Sequence, residues 1–590
     1  MVTNSLAFKI GGEAGWGIRS SGEMWLRLMR AVGLYAYGYM EYPSLIRGGH
    51  NSYHVWAEEL ALHSTTNRVD LLVALNHETI ELHSHELSPH GAIVYDGEKM
   101  ILTNEDIRRD DLLLVNVPML RLAKDSAGSE VMRNMVALGA SCAVVGLELE
   151  ALVKLIDRMF GKKGEQIVQS NTESAKAGYE YVKQHLETIF YSRIEQKSAR
   201  NDEIVINGND AIAIGAIAGG CKYYAAYPMT PASSILEFLA KHGPSYGLVA
   251  RHVEDEIAAL NGVIGASLMG VRAMCGTAGG GFSLMVEALG LAGMLETPAV
   301  IVEAQRPGPA TGLPTWGNQA DLRFVLHSAQ DEFPRVIVAP GDPLECFTET
   351  IRAFELADSY QLPVIVLTDK FLAEDQVVTE QFPTEALPSS YTDEKMGIIS
   401  EAELSAKPER FKRYELTANG VSSRSIPGQK GGVYLANSDE HDEYGYTTED
   451  ATARTAMHEK RLRKLQAVAQ AIPAPKVYGP ILSDILIVCW GSTKGPVMDA
   501  ITMLAKHHIK ASMLHLLYVW PFPTEVVEKT LKVARNVIIV EANATAQCAG
   551  LIREMTGIEI KRKLLKSDGR PWTPEEIAEK ILLFLKSQSS

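Results

Sequence analysis

Apolar positions in this chain come in short unbroken runs closed by glycine or proline. Each run is followed by a stretch whose apolar residues recur every three or four positions. Runs of this kind read as strands buried on both faces, and the stretches between them as covering helices. SLAFKIGG from Ser5, VDLLVALN from Val69, AIVYDG from Ala92 and DLLLVNVP from Asp111 are predicted strands. GWGIRSSGEMWLRLMRAVG from Gly15 and NMVALGASCAVVGLELEALVKLIDRMFG from Asn134 are predicted helical, and ESAKAGYEYVKQHLETIFYSRIEQKSARND from Glu173 an amphipathic helix running into a polar linker. A second α/β region opens near Glu203, with KYYAAY, RAMCGTA, PAVIVEA, RVIVA and PVIVLTD as strands of a largely parallel sheet. From Glu380 to Pro475 the periodicity is lost and proline, glycine and charge rise, up to a charged helix. A third α/β region follows: DILIVCWGS, ASMLHLLYVWPFP and NVIIVEAN as strands, KGPVMDAITMLAKHH as a helix. The expected division is 1–195, 200–385, an ordered excursion 386–475, and 476–590, a multidomain α/β protein.

Composition narrows the function. At 590 residues the chain is too long for one core, since cores stop growing near ~250–300 residues. A net charge of −15 argues against nucleic-acid binding, and any anionic substrate must be met by placed cations. No apolar run reaches the ~18 residues of a membrane helix, and the first residues lack a secretory pattern, so a cytoplasmic protein without a membrane partner is expected. Six cysteines include no CxxC pair, which excludes the usual zinc, disulfide and iron–sulfur spacings; no metal site is expected on this chain.

The candidate chemistry lies in the loops after strands. In AAYPMTPASS, Thr230 stands between Pro228 and Pro231. Two readings are open: Thr230 caps a helix with Pro231 at its first position, or its hydroxyl faces a ligand at the carboxyl end of a parallel strand. In RHVEDEIAALNGVIGAS, Glu254, Asp255 and Glu256 open a helix, and Glu256 leads its small-residue, buried part, where an acid can give a proton to a heterocycle. Gly279, Gly280 and Gly281 form a run between a strand and a helix, as expected where backbone approaches a flat ring, or where a turn is simply flexible. Arg306, at a strand end before a proline-rich loop, suits a bidentate carboxylate. GGEAGWG, from Gly11, is either a phosphate cradle or a packing turn, and its spacing is not that of a nicotinamide site. Arg47, beside Gly48 and Gly49, either reaches an anionic group or is a solvated loop cation. SDEHDEYG, around His441, reads as a hydrogen-bonded loop rather than a metal site.

Taken together these segments resemble the 2-oxoacid:ferredoxin oxidoreductases. YPMTPAS is similar to the family's YPITPSS, TAGGGFSLM to TSGPGFSLM, and QRPGPATGLPTWGNQADL to RxGPSTGLPT…QxDL. EYPSLIRGGHNS resembles the EYPSExRGG of the gamma subunit, SDEHDEYG an EHDExG segment of the 2-oxoglutarate and broad 2-oxoacid branches, and VEANATAQCAGLIREMTG the E-N-xxxQ-xxxxIR segment of a transketolase-type C-terminal domain. Met229, Ala232 and the Ala278–Gly280 run depart from the pattern in shape only. The order implies a fused gamma–alpha chain, nearest the 2-oxoglutarate branch: a gamma domain, a pyrimidine-type domain binding thiamine diphosphate, and a transketolase-like C-terminal domain. It implies that Glu256 meets the aminopyrimidine with Pro228 and Gly279–Gly281 nearby, that Arg306 and Thr230 bind the substrate, and that Arg47 serves coenzyme A. The activity implied is coenzyme A-dependent oxidative decarboxylation of 2-oxoglutarate with electrons passing to ferredoxin, a reaction that runs in either direction; pyruvate or a broad range of 2-oxoacids is the alternative. Mg²⁺ and a [4Fe-4S] cluster are expected on a separate beta subunit carrying GDG…N and the cluster cysteines, in a heterotetramer of two alpha–beta pairs.

Overall fold

The computed structural model describes the chain except residues 1, 46–47, 103–106, 108, 198–201, 384–395, 407–408, 481 and 590. It divides into two compact units, Met1–Ile206 with Asp375–Gln381 and Thr573–Ser590, and Asn207–Glu374 with Phe382–Trp572. The multi-sheet α/β class expected from the sequence is what is found.

In the first unit the described residues form an eight-stranded sheet. Leu113–Asn116, Leu87–Tyr95, Val69–Ala74 and Leu6–Glu13 run parallel, as their unbroken apolar runs predict. His50–Glu58 and Tyr35–Glu41 then add antiparallel strands. Neither was expected, because the first carries polar His54 and Ser52 at buried positions and the second is interrupted by Gly38. Gln376–Glu380 pairs next, in register Gln376 with Gly38, and Glu203–Ile206 closes the edge. Glu203–Ile206, read from the sequence as the start of the second region, is thus a strand of this sheet. The long helical segment from Asn134 is two helices, Arg133–Val144 and Leu149–Phe160, since Gly146 turns the chain at φ 70°.

The second unit holds two sheets around one continuous apolar core, in which Leu260 and Phe282 share a cluster with Trp490 and Leu514. The larger has strand order Val249–His252, Tyr223–Ala226, Ala273–Thr277, Ala299–Gln305, Pro363–Asp369, Val336–Val338, Tyr518–Trp520. All neighbours are parallel except the last, where Tyr518–Trp520 runs against Val336–Val338 across a register shift. The predicted single strand ASMLHLLYVW is therefore two: Ala511–Leu516 stays in the five-stranded sheet with Ile485–Trp490, and the rest crosses to the seven-stranded one. The charged helix of the excursion is Ala451–Ala471. With parallel strands ending at Ala226, Thr277, Gln305 and Asp369, the loops carrying the candidate residues gather at one edge of one sheet.

Candidate functional site

The loop after Tyr223–Ala226 is not the helix start that its sequence suggests. The helix runs Ser233–His242, with Ala232 at its cap and no side-chain cap bond. Thr230 lies outside it, half-buried, in a turn closed by the Ala232 N–H donating to the Met229 carbonyl at 2.8 Å. The Thr230–Pro231 peptide is cis. Two side chains fix this turn from other elements. Asn209 Nδ2 donates to the Pro231 carbonyl at 2.7 Å and to Ser234 Oγ at 2.8 Å. Arg306 Nη1 donates to the Thr230 carbonyl at 2.7 Å. The structure thus brings Thr230 and Arg306 together, through backbone and guanidinium. Burial lowers the Arg306 pKa with no neighbouring acid contributing, which leaves the group a cation with unspent donors at the strand ends.

Glu256 is the first residue of the helix Glu256–Leu268, whose Asp255 cap accepts from the Ala258 N–H at 2.8 Å. Its carboxylate is 3 % exposed, and Oε1 is buried with no hydrogen-bond partner. A buried acceptor left unmade costs about 1–3 kcal/mol, and Oε1 is free to accept from a donor. The three glycines form the first turn of the helix Gly279–Met294 rather than a loop. A β-carbon at Gly281 would fall 2.3 Å from Glu256 Oε1 and 2.2 Å from Thr277 Oγ1, and one at Gly279 would fall 2.4 Å from Asp321 Oδ2. Both are glycine because carboxylates fill the space. Gly280 is different: it is exposed, and the nearest atom a β-carbon would meet is the Ala310 carbonyl oxygen, 3.7 Å away on the proline-rich loop after Arg306. Thr277 Oγ1 in turn lies 3.9 Å from Met229 Sδ, which links the glycine turn to the Thr230 loop.

Beneath these loops sits a group of acids that the sequence reading passed over. Glu303 is fully buried on the strand Ala299–Gln305 and neither of its oxygens faces a donor. Burial, then the charges of Asp321 and Asp369, push its pKa far up. It is held toward its neutral form, close to the charge of Asp321, whose own pKa burial raises to about 6. Asp369 is raised to about 6 by burial, although Ser492 Oγ and the Phe371 and Leu372 N–H groups donate to it. The Asp321 N–H donates to Gln305 Oε1 at 3.0 Å. The segment before Asp321 is gripped by the Glu-Asn-Gln motif near the C-terminus. Gln319 exchanges backbone and side-chain bonds with Ala542, Asn543 Nδ2 donates to the Gln319 carbonyl at 3.1 Å, and Gln547 Nε2 donates to the Ala320 carbonyl at 2.6 Å. Glu541 holds that motif by accepting from the Cys548 and Ala549 N–H groups. The acids of PAVIVEA and PVIVLTD were the available signal, being carboxylates near the ends of otherwise apolar strands.

With this geometry in hand the chain can be set beside known proteins. Residues 214–460 match the model of the thiamine-diphosphate-binding domain of pyruvate flavodoxin/ferredoxin oxidoreductases, residues 7–181 that of pyruvate ferredoxin/flavodoxin oxidoreductase, and residues 483–577 that of the pyruvate:ferredoxin oxidoreductase core domain II. The alpha subunit of 2-oxoacid:ferredoxin oxidoreductase from Sulfolobus sp is 31% identical over 98% of this chain and 97% of its own length. The chain belongs to the 2-oxoacid:ferredoxin oxidoreductase alpha subunits. Among other relatives of this alpha subunit, the KorA subunit of 2-oxoglutarate synthase from Methanothermobacter marburgensis is 32% identical, covering 65% of this chain and 99% of its own. A solved 2-oxoglutarate:ferredoxin oxidoreductase from Magnetococcus marinus, with 2-oxoglutarate, coenzyme A and succinyl-CoA bound, superposes with a TM-score of 0.90 at 31% identity, over 98% of this chain and 99% of that one.

The remaining expected positions of the alpha subunit sort simply. Arg47 lies outside the described residues. Pro228 is exposed at the end of its strand. GGEAGWG ends a strand at Glu13 and begins a helix at Ile18; Asn134 Nδ2 donates to the Trp16 carbonyl, and the Arg133 guanidinium lies 3.7 Å from the Trp16 ring centroid. His441 is fully buried against Tyr414, with Nδ1 2.9 Å from the Asp439 carbonyl, and Glu440 pairs with Arg454 and Arg461. No cluster of three or more metal-ligating side chains occurs among the described residues, and no described helix is long and apolar enough to cross a membrane. All six cysteines are buried and unpaired.

Proposed function

We propose that this chain is the gamma–alpha part of a 2-oxoglutarate:ferredoxin oxidoreductase. With a beta subunit holding Mg²⁺ and a [4Fe-4S] cluster, it converts 2-oxoglutarate and coenzyme A to succinyl-CoA and CO₂, and two electrons leave singly to two oxidised ferredoxins. The observation that carries this reading is the buried, unpartnered Oε1 of Glu256 beside a glycine turn with one exposed, open position. That arrangement fits the aminopyrimidine of thiamine diphosphate. When bound, thiamine diphosphate supplies the nucleophilic carbon and the electron sink for decarboxylation. Glu256 Oε1 takes and returns the proton at the pyrimidine nitrogen. Gly280 leaves room for the ring, Gly279 and Gly281 leave room for the carboxylates behind it, and Pro228 borders the strand end. Arg306, oriented by the Thr230 carbonyl, binds the substrate carboxylate; the Thr230 hydroxyl faces the reacting carbonyl. The choice of 2-oxoglutarate is supported by the KorA relative and by the likeness to the Magnetococcus marinus enzyme.

The test is a panel of 2-oxoacids on the chain copurified with its beta subunit, using a viologen dye as electron acceptor. 2-Oxoglutarate is expected to give the highest kcat/KM; equal or faster turnover of pyruvate moves the assignment to the broad 2-oxoacid class that the Sulfolobus relative's name describes. Glu256→Gln in the same complex is expected to lose decarboxylation by at least about a hundredfold. Near-normal activity of that variant would remove Glu256 from the chemistry.

A further inference from the structure

Away from the strand-end site, the excursion meets the thiamine-domain helices around a small, partly enclosed space. It is lined by Arg413 and Arg424, the hydroxyl-bearing Thr297, Ser425 and Tyr434, and two aliphatic side chains, with room for one water-sized species. Both guanidiniums are buried, Arg413 to 1 % exposure and Arg424 to 6 %. Arg413 Nη2 donates to the Glu296 carbonyl at 2.7 Å, while its Nη1 is buried with no partner. Arg424 donates to the Met396 carbonyl from Nε and Nη2 and, at 3.5 Å, to the Ser267 carbonyl from Nη1, and forms a long ion pair with Asp358 at 3.8 Å.

The acids within reach are already engaged. Asp358 takes Arg272 at 2.6 Å. Glu296 takes Lys460 at 2.6 Å and Lys464 at 2.5 Å. No carboxylate lines the space itself among the described residues. Two buried cations facing one cavity repel each other, and a buried charge is tolerated only when paired. Burial and the mutual repulsion pull the Arg424 pKa down to about 10, with Asp358 opposing. A water molecule offers a dipole to this space but no charge.

We propose that the cavity binds a single-atom monovalent anion of chloride size, held by Arg413 Nη1 and the Arg424 guanidinium. Its size excludes phosphate and carboxylate ligands. The ion acts as a structural pin, joining the Arg413–Tyr434 stretch of the excursion to the ends of the helices Glu256–Leu268 and Gly279–Met294.

The experiment uses the full chain crystallised from bromide in place of chloride, with anomalous scattering recorded at the bromine edge. A bromide peak beside Arg413 Nη1 is expected. In parallel, melting is compared in chloride and in gluconate at equal ionic strength, gluconate being too large to enter. Chloride is expected to raise the melting temperature, on the order of 1–2 °C. Thr297→Asp supplies a carboxylate at the cavity wall without removing either arginine. It is expected to lose the bromide peak and the chloride response together. Water alone in the bromide crystal, or an equal chloride response in both proteins, overturns the proposal.

Discussion

Glu296, in the turn before the strand Ala299–Gln305, and Glu303, on that strand, are both buried to 1 % exposure or less. Their surroundings are opposite. Glu296 meets the ammonium groups of Lys460 and Lys464, and their charges with that of Arg413 hold its pKa well below the ordinary carboxylate value against the pull of burial. Glu303 meets only acids, and burial with Asp321 and Asp369 holds it neutral. The first is a fixed charge that fastens the excursion helix; the second is a stored proton beneath the strand-end loops. Burial penalises the charged form of both, so the sign of the partner decides which state survives.

The comparison is broken most directly at Glu296. Glu296→Gln leaves two lysines buried without a counter-charge, and is expected to cost about 3–5 kcal/mol, read as a large fall in melting temperature. A loss below about 1 kcal/mol would mean that the lysines discharge at no cost. Next in size is Gly281→Ala, whose β-carbon would occupy the space of Glu256 Oε1. It is expected to cost about 1–3 kcal/mol and to lower turnover of the beta-complexed enzyme at least about tenfold. Gly280→Ala, with its nearest contact at 3.7 Å, is the matched control for stability. Smallest is Glu303→Gln. An amide replaces an acid that is already neutral, so the change stays within about 1 kcal/mol. If it matched Glu296→Gln, the stored proton would be refuted.

The pH dependence sharpens the same contrast. Asp321 and Asp369 bind protons more tightly in the folded chain, with pKa values of about 6 against an ordinary 3.8. Folded chain therefore holds more protons in that window, and stability falls as pH rises from about 4 to 6. Lys464 works the other way: burial lowers it from 10.5 to about 7, so its contribution is recovered as pH rises from about 7 to 10.5. Chemical denaturation at pH 4, 6, 7 and 9 should show both slopes, the first reduced in Asp321→Asn. A flat profile through both windows would contradict the assignment.

Most parallel strands of the second unit were legible because buried strands leave an unbroken apolar signature; Val249–His252 and Arg562–Leu565, largely exposed, leave none and were missed. The antiparallel strands Tyr35–Glu41 and His50–Glu58 were not legible either, since Ser52 and His54 are buried yet polar. The Thr230 loop shows a different failure. Its residues satisfy every local rule for a helix cap, but Arg306 and Asn209, from distant segments, hold the backbone in a turn instead. The acid group was invisible for a simpler reason. Glu303, Asp321 and Asp369 come from two strands and a loop, and only the pairing of Glu303 with Leu367 and of Gln305 with Asp369 brings those segments side by side.

The strand Tyr518–Trp520 gives the chain a particular order of assembly. During synthesis every other strand of the seven-stranded sheet emerges before it, so Val336–Val338 waits with one row of peptide groups unpaired while the excursion and half of the last region are made. That edge is only three residues long, and short edge strands are themselves one way proteins limit pairing with other chains. A chain cut before Tyr518 would leave it permanently open, and fragments of this protein should be chosen with that in mind.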